Sequence, residues 1–532
     1  MKNRLLIILV AYFCTFSTIT VFSQNIVWKK NFGGNSEDIY YSVAALSDGT
    51  VAVGYSYQDS FGTGDWTEIT GKGDVDAIIV KYNNDGYITW KKHFGGSSHD
   101  HYNSVVALSD GMVAVGCSEI VSDGDWTGVV GRGWYDAIIV KYNNDGNTVW
   151  KNYFGGNEYD EYNSVTVTTD GIIAVGYSRE NSFSNGDWTD IHGKGDWDAI
   201  IVKYGNDGNV IWKKNFGGSG QDNYLSISTV SDGIIAVGYS EFASFGNGDW
   251  TDVWGWGDGD AIIVKYDNDG NVIWKKHYYA SSSYNTFFSV NPLSDGIVAV
   301  GFSSSNGRDA IIVKYDNDGN MVWEKKFGGM CDDFYYSVTT VSDGIVAVGY
   351  SDACSFGNGD WANITVDGDE PYAIIVKYDN DGNVVWKKPF GGRSTDRYNS
   401  VTTVSENIIA AGFSYYESFG SGDWSDVLGK GSFDAIIVKY TEGEVGFTEM
   451  KQHQEDFKIY PNPTNGKIKV EVQKPVSLYD IAIFDVMGKS LDVNIQDSSE
   501  NSKTGIVIDI SHLSAGIYFL HVENEVTKII KE

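Results

Sequence analysis

Residues 337–351 read SVTTVSDGIVAVGYS, and residues 373–388 read AIIVKYDNDGNVVWKK. In the first stretch two apolar, β-branched runs flank Ser342-Asp343-Gly344; in the second, two such runs flank Asp379-Asn380-Asp381-Gly382. Short runs of this kind around such turns predict β-hairpins, with glycine supplying the positive φ the turn needs. Two consecutive hairpins make four strands. The A-I-I-V run is apolar at every position rather than alternating, which predicts a strand covered on both faces. The Ala and Gly of I-V-A-V-G suit a place where sheets converge and side chains must be small.

The same four-stranded unit recurs along the chain. Trp28, Trp90, Trp150, Trp212, Trp274, Trp323 and Trp386 follow one another at spacings of 62, 60, 62, 62, 49 and 63, and A-I-I-V-K-Y occurs seven times, from 77–82 to 435–440. A four-stranded sheet repeated seven times, buried on both faces, predicts a seven-bladed β-propeller, hence an all-β protein. A β-solenoid has shorter repeats that would not hold two hairpins each. A lone last strand at 26–29 precedes the first full repeat, and the seventh repeat lacks one. Pairing the two closes the ring and removes two open edges.

Composition agrees. Of 532 residues 14% are aromatic, with 63 Gly and 6 Pro, a mix for short strands and tight turns rather than disorder. The formal charge of −32 repels phosphate backbones and anionic lipid, which argues against nucleic acid as a partner. Lys2 and Arg4 precede an apolar run and then Val21-Phe22-Ser23, so residues 1–23 read as a signal peptide, with no transmembrane segment in the mature chain. Of the cysteines beyond it, Cys117, Cys331 and Cys354, the sparse and odd number excludes a disulfide framework and a cysteine-rich zinc site. No metal and no cofactor is expected. Cys331 and Cys354 fall in two same-face loops of the sixth repeat, close enough for a disulfide in an oxidising exterior.

Residues 24–447 resemble the bacterial seven-bladed β-propeller repeat family. After a polar linker at 448–456 the repeat vanishes, and residues 457–532 carry FKIYPNPTNG, IAIFDVMGK, LSAGIYFL and a terminal TKIIKE. These motifs, in this order, resemble the type A sorting domain of type IX secretion substrates. The resemblance implies a small Ig-like β-sandwich, the type IX machinery as partner of residues 457–532, and a destination that is secreted or at the outer-membrane cell surface.

Blade geometry sends two sets of loops to one face, and there lie the G-D-W words, the F-G-G turns and the arginines Arg132, Arg179, Arg308, Arg393 and Arg397. Exposed indoles beside carboxylates suit sugar rings. The fifth repeat lacks the long G-D-W loop, leaving a notch that predicts a ligand site built from Trp250, Trp254, Trp256, Trp361, Asp249, Asp360 and Arg308. No catalytic set stands out: His99-Asp100-His101 are adjacent and should diverge, and the N-D-G turns lack the distal Glu of a calcium loop. The function expected is a surface binding or scaffolding propeller whose partner is a polysaccharide or another surface protein. The alternative is a secreted carbohydrate-active enzyme, hydrolase or lyase, with its pocket at the propeller mouth.

Overall fold

The computed structural model describes residues 22–119, 122–280, 284–304, 307–444, 457–472, 481–484, 490–491, 493–497, 504–522 and 525–532. All but the end of the signal peptide read at 1–23, and all of the linker read at 448–456, lie outside them. The chain forms two compact units, Phe22–Gly443 and the C-terminal Glu444–Glu532.

The larger unit holds seven four-stranded antiparallel sheets. In blades 1 to 6 the strands are neighbours in chain order; in blade 1 these are Asp38–Leu46, Gly49–Tyr57, Val75–Asn83 and Ile88–Phe94. Blade 7 takes three strands from Asp396–Val404, Asn407–Tyr415 and Phe433–Glu444, and its fourth is the N-terminal strand Phe22–Phe32. The first strands of adjacent blades pack on one another around the axis, those of blades 7 and 1 included. The seven-bladed propeller is closed.

Each repeated word has a mechanical use. Near the axis, a serine in every first strand accepts a hydrogen bond from a backbone N–H of the next blade: Val105 to Ser42 (3.3 Å), and so on round to Val43 on Ser400 (3.1 Å). In A-I-I-V-K-Y the tyrosine pairs with the first-strand tyrosine, as in Tyr40–Tyr82 (2.7 Å), and the buried lysine reaches the S-D-G turn, as in Lys81–Asp48 (2.8 Å). At the rim the outer-strand indole lies over the next blade's N-D-G turn. Trp28 donates to Asn84 O (3.1 Å), and Gly86, at φ +79°, sits so near that a Cβ would stand 2.8 Å from the ring. Glycine is required there twice over.

In the C-terminal unit two four-stranded antiparallel sheets bury one shared core, including Ile468, Val470, Ile483, Ile508, Leu520 and Ile529. Asn462, of the P-N-P word, bonds the backbone of Lys528 and Ile530 in the final strand (2.6 and 2.8 Å). Motifs 66 and 68 residues apart thus form one structural element. No helix among the described residues is long and apolar enough to cross a membrane.

Candidate functional site

The G-D-W indoles are not displayed to solvent. Trp66, Trp126, Trp188, Trp250, Trp361 and Trp424 are all fully buried. The reason is local: each G-D-W forms a single 3-10 turn, begun in blade 1 by Gly64 at φ +48°, which folds the ring down onto the blade. There Trp66 Nε1 donates to Asp38 Oδ1 (3.1 Å) and Ser56 Oγ (3.0 Å). Asp38 also accepts from Ser56, Ser60 and the Gly34 N–H, so one carboxylate clasps four segments. The turn's own aspartate is occupied too. Asp249 accepts from the Gly217 N–H (2.9 Å) and pairs with Lys194 of blade 3 (2.6 Å); Asp360 accepts from the Gly328 N–H (3.0 Å). Trp250, Trp361, Asp249 and Asp360 are therefore corrected from ligand contacts to blade-to-blade fastenings.

Trp254 and Trp256, by contrast, are 77% and 60% exposed, and Trp256 lies roughly parallel to Tyr279 (6.2 Å). Arg308 sits over the Phe302 and Phe334 rings (5.8 Å each) and faces Asp332 (3.4 Å). Arg179 and Arg397 end up in strands rather than loops. Each lies on an aromatic ring, Tyr159 and Tyr350, at 4.2 Å. Cys331 and Cys354 are joined in a disulfide, Cα atoms 5.8 Å apart.

What breaks the sevenfold pattern lies at the axis. Between the Asp (Asn285 in blade 5) and the aromatic residue of each first strand stand Ile39, His101, Glu161, Asn223, Thr286, Phe334 and Arg397. Opposite them on the second strands stand Tyr55, Cys117, Tyr177, Tyr239, Phe302, Tyr350 and Phe413. On blades 5 and 6 this ring closes into an aromatic wall of Phe302, Phe334 and Tyr350. On blades 1 to 3 it opens into a cavity of about 360 Å³ lined by Tyr55, Tyr57, Tyr135, Tyr159 and Tyr177, with Val75, His99, His101, Cys117 and Glu161.

This cavity is polar at its floor. His101 Nε2 lies 3.2 Å from Glu161 Oε1 and 3.5 Å from Cys117 Sγ. Asn103 donates to Glu161 Oε1 (2.7 Å), and the Tyr177 hydroxyl to Glu161 Oε2 (3.0 Å). Burial works to raise the Glu161 carboxyl, but the hydrogen bond and the charge of His101, with the hydrogen bonds from Asn103 and Tyr177, outweigh it and hold the acid below its ordinary value. Burial pushes the Cys117 thiol up, and the nearby Glu161 adds to this. The His99-Asp100-His101 run diverges only in part: Asp100 turns into the blade to meet Ser118, while His99 and His101 both line the cavity. Sequence reasoning missed this cluster, whose one signal was a varying residue between two constant ones.

Taken together, these features define a closed propeller with an asymmetric cavity among its blades 1 to 3, and a second, sandwich-like unit in the same chain. Residues 458–532 match the secretion system C-terminal sorting domain, which marks the chain for export to the exterior or the cell surface by type IX secretion. The regulatory protein FlaEY of Caulobacter vibrioides is 25% identical over 194 residues, 33% of this chain. The chain thus spans about a fifth of that relative's length, 19%. Among solved structures, BamB from Moraxella catarrhalis covers 79% of this chain and 100% of its own (13% identity, TM-score 0.37). The WD40 propeller domain of Doa1 covers 78% and 97% (11% identity, TM-score 0.42).

Proposed function

We propose that this chain is a surface or secreted capture protein that holds a polysaccharide at the axial mouth of its propeller. The observation that carries the reading is the cavity between blades 1 and 3, where five tyrosines surround a hydrogen-bonded Glu161–His101 floor. Tyrosine offers a flat face for sugar C–H groups and a hydroxyl at its edge, at small entropic cost. Its volume, about 360 Å³, falls at the lower end of ligand cavities, enough for one or two sugar rings. Capture without cleavage is favoured over hydrolysis: glycosidases use two carboxylates across the scissile bond. Glu161 is the carboxylate among the residues lining this cavity, and it is already committed to three neighbours.

The exposed Trp254–Trp256–Tyr279 strip supports a second reading, a binding platform on blade 4 beside the shortened blade 5 loop. One experiment separates the two. The mature chain is screened on a polysaccharide array, and the hits are titrated against variants. Tyr57→Ala and Tyr135→Ala weaken binding about tenfold or more each, while Trp254→Ala and Trp256→Ala leave it unchanged. Loss of binding in the tryptophan pair alone moves the site to blade 4. Trp250→Ala is the architectural control. It lowers stability by about 3–5 kcal/mol, because a fully buried indole leaves a cavity and takes away the Nε1–H that Ser240 and Asp222 share.

The sorting unit acts as an address and takes no part in capture. Deleting residues 457–532 strands a folded, ligand-competent propeller in the periplasm, seen by fractionation and protease shaving. Normal surface display of that deletion contradicts this assignment.

A further inference from the structure

We propose that His101, Cys117 and Glu161 form a binding site for a zinc-class divalent metal ion at the floor of the axial cavity. The inference is independent of what the mouth captures. Three facts carry it. First, the donors come from two adjacent blades yet converge: all lie within 4.8 Å of one another. Second, two of the three donor spacings match the edges of a tetrahedron. For Zn–S of about 2.3 Å and Zn–N and Zn–O of about 2.1 Å, the edges are about 3.5 Å for S···N and about 3.4 Å for N···O. The observed separations are 3.5 Å for Cys117 Sγ to His101 Nε2 and 3.2 Å for His101 Nε2 to Glu161 Oε1. Cys117 Sγ also lies 3.7 Å from His101 Nδ1, over the face of the ring, and within 4.8 Å of the Glu161 carboxylate, so an ion is taken up by rotating the Cys117 and His101 side chains until Sγ and Nε2 both point at it.

Third, these residues occupy ring positions that the other blades fill differently. At the second-strand position equivalent to Cys117, the other six blades carry tyrosine or phenylalanine, and blade 2 alone carries a cysteine. Cys117 is unbridged, although the same chain forms the Cys331–Cys354 disulfide. An exported chain that keeps a thiol beside an imidazole and a carboxylate presents the donor set that soft or borderline ions such as Zn²⁺ prefer over Ca²⁺ or Mg²⁺. The supporting shell is in place: Asn103 and Tyr177 fix the two oxygens of Glu161. With three protein ligands, the fourth position opens into the tyrosine-lined cavity, where water or an oxygen of a bound ligand completes the shell.

The test uses the mature chain, reduced and stripped with a chelator, then titrated with Co²⁺. One equivalent of Co²⁺ develops a thiolate-to-cobalt charge-transfer band, and Zn²⁺ bleaches it. Cys117→Ser abolishes the band and weakens Zn²⁺ about a hundredfold; Glu161→Gln weakens it about tenfold or more. Circular dichroism confirms that each variant is folded. Tyr177→Phe removes only the hydroxyl that orients Glu161, and it too weakens Zn²⁺ measurably with the fold intact. Absence of the band in the wild-type protein, or a band that survives Cys117→Ser, overturns the proposal.

Discussion

Removing residues 24–33 lowers the melting temperature of the propeller by about 10 °C or more, far beyond what losing a surface strand would do. The strand Phe22–Phe32 supplies the outer edge of blade 7. Its Phe32 is fully buried, edge-on to Trp66 of blade 1 (5.0 Å), in a core that also contains Ile409 and Ile437 of blade 7. Truncating one such phenylalanine costs about 3–5 kcal/mol. Further contacts go with it: Asn31 to Asp434 (2.6 Å), Lys430 to Asn31 O (2.7 Å), and the Trp28 staple to Asn84 of blade 1. Because the strand joins the last blade to the first, its loss also exposes an unpaired sheet edge and favours self-association. Differential scanning calorimetry and light scattering on the two forms check both effects. Equal melting temperatures would mean that the ring holds without its closing strand.

The melting temperature is highest near pH 4 and falls as pH rises to 8. Six buried clasp carboxylates cause this. Burial pushes Asp38 and Asp333 up to about 6, and Asp100, Asp160, Asp222 and Asp396 up to about 7, with their serine and backbone donors pulling partway back. A carboxyl raised in the folded state binds its proton more tightly there than in the unfolded chain. Its stabilisation is complete below about pH 4, where both states are protonated, and is lost as pH rises through the folded value. Each proton held only by the folded state steepens the fall with pH, and all six groups act in the same direction. Exposed carboxylates shifted down, such as Asp110 and Asp170, titrate below this window. Asp160→Asn flattens the profile by one group's share, while blade 5, with Asn285 at this place, has no clasp carboxyl to titrate. A profile that is level, or rises from pH 5 to 8, contradicts the assignment.

The architecture is legible in the chain because each blade is written in local signals. The S-D-G and N-D-G turns and the doubly apolar A-I-I-V strand survive intact in almost every repeat. The surplus strand at 26–29 pointed to closure for the same reason: a recurring tryptophan word, one too many at the start and one too few at the end, needs no tertiary information. The site is less legible. Trp250 and Trp361 read as exposed because they sit in long loops, yet a single 3-10 turn swings each indole onto a buried aspartate. A loop's position in sequence says nothing about which way such a turn faces. His101 and Glu161 are 60 residues apart and become neighbours only through the rotation from one blade to the next. Words that repeat seven times turned out to fasten blades together; the residues that vary inside those words line the cavity.

The most direct measurement is the position of the captured ligand in a crystal of the mature chain soaked with the strongest array hit. Sugar density in the mouth between blades 1 and 3, stacked on Tyr57, Tyr135 or Tyr159, is the expected result. Density over Trp254 and Trp256 with an empty mouth would contradict it.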